Sequence, residues 1–169
     1  MDPKHLYEYI IRPTLDYLAS VNTRLDSLSA RRLLLGTAMW ESRLLYLRQL
    51  SDGPALGLWQ MEPATHDDIW SQYLFYRPDI ARAIEAMTGR WPRGPAQLVG
   101  NLPYACAMAR MQYWRSPKAM PKADDAEGLA RYHETIYNTL YGAIGKTKDK
   151  LEALPIFQSV IELTKEDKA

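Results

Sequence analysis

The stretch from Leu33 to Leu50 constrains the fold more than any other part of the chain. Leu33, Leu34, Leu35, Ala38, Met39, Trp40, Leu44, Leu45, Leu47 and Leu50 recur at helical spacing and cover almost the whole circumference of a helix. A helix that is apolar all round must be enclosed by other elements, so the remainder of the chain has to wrap it. One carboxylate interrupts the run. Glu41 has Thr37, Ala38, Leu44 and Leu45 as its one-turn neighbours, and no Lys or Arg at those spacings. Loss of water favours the neutral form of a carboxyl, and a general acid must hold a proton near neutral pH. Glu41 is therefore the candidate catalytic acid, and the alternative is a carboxylate that reaches solvent or pairs with a distant Arg.

The other periodic stretches are also helical: Leu6 to Leu18 with a bend or break at Pro13, Ser29 to Leu50, Thr65 to Tyr76, Pro78 to Met87, Ala96 to Arg115, Ala126 to Tyr141, and a short helix after Pro155. Thr65 with Asp68 has the form of a capping box, Pro78 suits a first helical turn, and Gly89 suits a helix stop. Gly and Pro mark loops at Ser51 to Glu62, Gly89 to Pro95 and Ser116 to Asp125. Strand signals are few. The expected fold class is all-α, or an α-rich α+β arrangement, in one domain spanning 1–169. Segment 1–28 is expected as an N-terminal helical extension and 142–169 as a C-terminal one.

Composition excludes several functions. With 47% hydrophobic and 24% charged residues the chain has the mix of a globular domain and not of a disordered one. A formal charge of +1 without a basic block argues against nucleic acid as a partner. No apolar run approaches a membrane span, and the start M-D-P-K-H-L-Y-E has no secretory pattern. His5, His66 and His133 are too scattered for a metal motif, so no metal or cofactor is expected. Cys106 lies in an apolar helical run and reads as a packed thiol; its pairing with His133 as a nucleophile is a minor alternative. Five Trp and eleven Tyr against two Phe suit half-open, sugar-binding grooves as well as cores. Trp91, in a basic loop of Arg90 to Pro95, reads as an anchor of that loop.

Beyond Glu41-Ser42 the chain runs through Gly53, Pro54 and Gly57 into Gly57-Leu58-Trp59-Gln60-Met61-Glu62-Pro63-Ala64-Thr65. This resembles the soluble lytic transglycosylases, relatives of the goose-type lysozymes. Their pattern is Glu-Ser followed, at a similar distance, by Gly-Leu-(Met or Trp)-Gln-x-x-Pro-x-Thr. Two later blocks resemble the family more loosely. Asn101-Leu102-Pro103-Tyr104-Ala105-Cys106-Ala107-Met108-Ala109 stands for a helix opened by Asn. Ala130-Arg131-Tyr132-His133 stands where the family has Ala-x-Tyr-Asn, with Tyr137-Asn138-Thr139 following. The family's Asn-Pro turn after Glu-Ser is absent, and Arg43 to Leu50 reads as continued helix.

The resemblance implies a lysozyme-like fold and a cofactor-free enzyme acting on the glycan strand of peptidoglycan. Glu41 would protonate the glycosidic oxygen between N-acetylmuramic acid and N-acetylglucosamine, then act as base while the muramic 6-hydroxyl closes a 1,6-anhydro ring. Many glycosidases use two carboxylates; this family manages with one. Ser42, Gly57, Trp59, Gln60, Tyr132, Tyr137 and Asn138 are the substrate-binding candidates, with Tyr137 taking the place of Tyr132 if that residue is turned away. The compact size and Tyr-Asn-Thr sequence resemble bacteriophage-encoded members, which implies a virion-associated protein, or one made in host cytoplasm and delivered to the periplasm. The alternative is a catalytically silent lysozyme-like module in a virion, with other virion proteins as partners.

Overall fold

The computed structural model describes residues 1–137 and 151–167. Among these the structure is all-α. The only β-type pairing among the described residues is a pair of isolated antiparallel bridges, Arg48 with Leu56 and Leu56 with Met61. The helices are α1 (Pro3–Leu6), α2 (Arg12–Ala19), α3 (Leu28–Ser42), α4 (Pro63–Asp68), α5 (Pro78–Ala86), α6 (Gln97–Gly100), α7 (Leu102–Trp114), α8 (Ala126–Ile136) and α9 (Leu154–Leu163). None of the described helices is long and apolar enough to cross a membrane.

The first half of the apolar run is enclosed as its composition requires: in α3, Leu33, Leu34, Leu35 and Ala38 are fully buried. Beyond α3 it is not, and Leu45, Leu47 and Leu50 are exposed. Helix α9 packs on it so closely that a Cβ placed on Gly36 would lie 2.2 Å from the Phe157 ring. Arg32 ties the same two helices: its guanidinium donates to Thr164 Oγ1 at 2.8 Å, to the Thr164 carbonyl at 3.0 Å and to the Ala123 carbonyl at 3.0 Å. Both end segments belong to the core. Leu6, Ile11, Leu15 and Leu18 at one end, and Phe157 and Val160 at the other, are all fully buried.

Four element boundaries differ from the sequence expectation. The first helical run does not break at Pro13; it widens into a π-type stretch at Tyr7–Ile11 and continues as α2, which seats the proline in a first turn. Helix α4 starts at Pro63, with Glu62 before it and no capping side chain, so Thr65 and Asp68 do not form a capping box. Asn101 divides the expected helix from Ala96 to Arg115. Its backbone leaves the helical region, and its side chain accepts from Tyr104 N–H and donates to the Met87 carbonyl. Most consequential, α3 ends at Ser42 rather than Leu50. Ser42 Oγ donates to the Ala38 carbonyl at 2.9 Å and accepts from Leu44 N–H at 3.2 Å, while Arg43 and Leu44 take φ of 52° and 56°.

Candidate functional site

The end of α3 at Ser42 puts Glu41 in the last turn of a buried helix, where the chain turns into the long loop. The loop backbone is unusual. Among the described residues, every non-glycine residue with positive φ lies between Arg43 and Gln60: Arg43, Leu44, Ser51, Asp52 and Gln60. Such conformations cost about 1 kcal/mol or more each and collect where function demands a particular shape. Backbone bonds hold the shape. Gln49 N–H donates to the Ala55 carbonyl, Gly57 N–H to the Leu47 carbonyl, and Leu56 and Met61 exchange both bonds at 2.9 and 3.0 Å. Gly57 has φ of 74°, and its α-carbon faces the Leu98 carbonyl of α6 so closely that a Cβ would sit 2.1 Å from that oxygen. Only glycine meets both conditions.

Trp59 is 1% exposed and belongs to the core. Its indole N–H donates to the Leu34 carbonyl at 2.9 Å, and its own carbonyl accepts from the Tyr137 hydroxyl at 2.8 Å. The indole thus anchors the loop on α3 and is no sugar platform. Gln60 is half-buried, and its side-chain amide donates to the Gly57 carbonyl at 2.7 Å, which closes the loop on itself. Ser42 acts on the backbone at the end of α3. Tyr132 turns its hydroxyl to the Lys118 carbonyl at 3.0 Å, and its ring stacks on Tyr113 with centroids 5.9 Å apart. Tyr137, on the same face of α8 one turn beyond His133, is the tyrosine that joins the Glu41 cluster. Asn138 lies outside the described residues.

The centre of the cluster is a contact absent from the sequence expectation. His133 is fully buried, and its Nε2 faces Glu41 Oε1 at 3.3 Å. The approach does not meet hydrogen-bond geometry, and neither atom has a hydrogen-bond partner among the described residues. The Glu41 side chain keeps 18% exposure although Oε1 itself is buried, so the exposed part is the remainder of the side chain. On its other edge, His133 Nδ1 lies 3.0 Å from the Tyr113 hydroxyl, which lies 2.6 Å from Thr37 Oγ1. The His133 ring stacks on Tyr137 with centroids 5.8 Å apart and touches Phe157 of α9. Desolvation holds the Tyr113 and Tyr137 hydroxyls well above the ordinary tyrosine range, and the nearby Glu41 charge adds to this. Both are neutral hydroxyls at working pH.

Four elements are therefore linked in one cluster: α3 with Thr37 and Glu41, α7 with Tyr113, α8 with His133 and Tyr137 at its end, and the loop with the Trp59 carbonyl, His133 being the residue that approaches the carboxyl. Thr37 was legible as a one-turn neighbour of Glu41. His133 was legible only as a departure from Tyr-Asn, and Tyr113 carried no local signal. Among the described residues, no group of three or more His, Cys, Asp or Glu side chains is placed to hold a metal ion. Cys106 is buried and free, and burial pushes its thiol far above the ordinary range, which makes it a poor nucleophile. A separate cavity of about 600 Å³, lined by His66, Trp70, Phe75, Arg82 and Arg93 among others, includes none of the sequence-predicted site residues. Comparison with protein-family models, with curated proteins and with solved structures finds no match to this chain.

Proposed function

We propose that the protein is a peptidoglycan-cleaving enzyme of lytic transglycosylase or lysozyme type, with Glu41 as its acid and base. The observation that carries this reading is the setting of Glu41: a partly exposed side chain in the last turn of a buried helix, 3.3 Å from a buried imidazole, beside a loop that concentrates the left-handed backbone of the described chain. A functional group placed beside strained backbone is held where structure trades stability for chemistry. The resemblance of Glu41-Ser42 and Gly57 to Thr65 to the soluble lytic transglycosylases supplies the reaction.

In that reaction Glu41 donates its proton to the glycosidic oxygen as the bond to the muramic anomeric carbon breaks. The carboxylate left behind then removes the proton of the muramic 6-hydroxyl, whose oxygen bonds to the anomeric carbon and closes the 1,6-anhydro ring. If water takes the place of that hydroxyl, the outcome is hydrolysis. Ser42, Gly57, Gln60, Trp59 and Tyr137 shape the surroundings: Ser42 ends the helix, Gly57 and Gln60 fold the loop, and Trp59 with Tyr137 fastens the loop to α3 and α8.

A second reading, a lysozyme-like module without activity in a virion, draws on the burial of Trp59 and on His133 standing where the family has Asn. Clearing of a peptidoglycan suspension by the purified protein, with Glu41→Gln as control, separates the two. Clearing by the wild type alone supports the enzyme. No clearing by either, with both folded, supports the module.

A further inference from the structure

The cavity beside α4 and α5 takes no part in the chemistry assigned to Glu41, and its floor is fixed by hydrogen bonds within the protein. Trp70 Nε1 donates to the Tyr104 hydroxyl at 3.0 Å, and His66 Nε2 lies 2.7 Å from the same oxygen. The Arg93 guanidinium lies over the Trp70 ring, 4.2 Å from its centroid, and ties the loop before α6 to this floor. Phe75 also lines the cavity and is 74% exposed, so most of its ring is open to a ligand. Four charged side chains line the walls: the guanidinia of Arg82 and Arg93 and the carboxylates of Asp67 and Glu85. Their charges cancel, and each already has a partner. Arg82 pairs with Asp79, Arg93 lies 3.6 Å from Glu85, and Asp67 Oδ1 lies 2.7 Å from His66 Nδ1. Burial holds His66 below the ordinary histidine range, so it adds no charge near neutral pH. A charged ligand would give up water here without meeting a free counter-charge.

Two features are left for a ligand to use. One is the open aromatic ring of Phe75. The other is the hydrogen-bonding capacity of the paired charges, since guanidinium and carboxylate groups have more donor and acceptor sites than one ion pair occupies. A pyranose ring matches both, with an apolar C–H face and hydroxyls around its edge. The volume of about 600 Å³ falls within the range of small-ligand sites, about 300–1,000 Å³. We propose that this cavity is a binding site for an uncharged oligosaccharide, separate from the Glu41 cluster, with which it shares no residue. Phe75 stacks on a sugar ring, and Asp67, Arg82 and Glu85 bond its hydroxyls. No covalent bond is made or broken here. The ligand class is read from the cavity itself and does not rest on Glu41 as the acid. Where Glu41 cleaves a glycan strand, this site holds sugar away from the cut.

Nuclear magnetic resonance titration of the full chain tests this, with the indole N–H of Trp70 as the reporter at the cavity floor. The probe is the N-acetylglucosamine tetramer, which should move that signal in a saturable way at millimolar concentration. Phe75→Ala should weaken binding about fivefold or more, through loss of the ring that stacks on the sugar. Ala81→Phe, which places a ring at the cavity wall, should abolish binding. Trp91→Ala is the control: that indole is 76% exposed but does not line the cavity, and its removal should leave the affinity unchanged. The glucosamine tetramer, a cation with the same sugar rings, should bind about fivefold more weakly or worse. The proposal is overturned by a Trp70 signal that does not move, or by an affinity unchanged in Phe75→Ala. Equal losses in Phe75→Ala and Trp91→Ala, or equal affinity for the two tetramers, also overturn it. If Ala81→Phe does not fold, Phe75→Ala, at an exposed position, decides. Movement of Trp70 in a protein that does not cleave peptidoglycan supports this site and removes the proposed function; cleavage without that movement does the reverse.

Discussion

Replacing Gly57 by Ala should destabilise the protein by an amount that the structure divides into two parts. The first is conformational. At φ of 74° an L-residue is strained, at a cost of about 1 kcal/mol. The second is steric. The new methyl would lie 2.1 Å from the Leu98 carbonyl oxygen, and a backbone atom of a helix cannot swing aside as a long side chain would. Reaching an ordinary contact needs a shift of more than an ångström in the loop or in α6, an overpacking that typically costs about 1–3 kcal/mol. The sum is about 2–4 kcal/mol, or roughly 5–15 °C in melting temperature for a domain of this size. Gly89→Ala is the internal control. Gly89 has φ of 62° but nothing within 4 Å of the methyl that alanine would add, so only the strain of about 1 kcal/mol applies. The loss of unfolded-state freedom is the same in both variants and cancels in the difference. Paired urea melts measure that difference. Equal destabilisation of the two variants would show that the close approach of Gly57 to α6 is not a constraint.

Three further outcomes follow from the same geometry. Thr37→Val removes the hydroxyl that bonds the Tyr113 hydroxyl at 2.6 Å in a buried site; a urea melt should show a loss of about 1–3 kcal/mol, and a stability equal to wild type would contradict a stabilising bond there. Trp59→Phe deletes the bond to the Leu34 carbonyl and leaves a gap beneath the loop; it should lower stability by about 1–3 kcal/mol and leave the pH dependence of any activity in place. His66 is held below the ordinary histidine range, chiefly by burial, against an opposing pull from Asp67. Its neutral form in the native state contributes stability above the unfolded value of about 6.5 that is lost as the pH falls through its lower folded value. Melts between pH 7.5 and 5 should therefore decline more steeply for wild type than for His66→Gln, and parallel curves would contradict the sign.

The α class was legible because the decisive signal, an apolar stripe too wide for a surface helix, depends on side-chain hydrophobicity alone. The end of α3 was not. Leu44, Leu47 and Leu50 keep helical spacing past Ser42, and neither Gly nor Pro marks the stop. The turn comes from Ser42 Oγ and two left-handed residues of types that rarely adopt that conformation. The same limit governs the site. Glu41 stood out because a lone carboxylate in an apolar run is a local anomaly. Trp59 read as readily for a groove as for a core, since an indole serves either place, and the bond to Leu34 that decides the matter spans 25 residues. Thr37, Tyr113 and His133 come together across 76 and 96 residues, a convergence that packing of α3, α7 and α8 creates and that no local pattern encodes.

The most direct test of the central claim compares wild type and Glu41→Gln on purified peptidoglycan, with soluble products weighed by mass spectrometry and both proteins melted under the same conditions. The amide keeps the size of the side chain but cannot give up a proton to the leaving oxygen, and loss of a general acid typically lowers the rate about 100- to 10,000-fold. The account predicts muropeptides ending in 1,6-anhydro-muramic acid, or their hydrated counterparts, from the wild type only, with Glu41→Gln at least as stable. Equal release of products by the two proteins would contradict it.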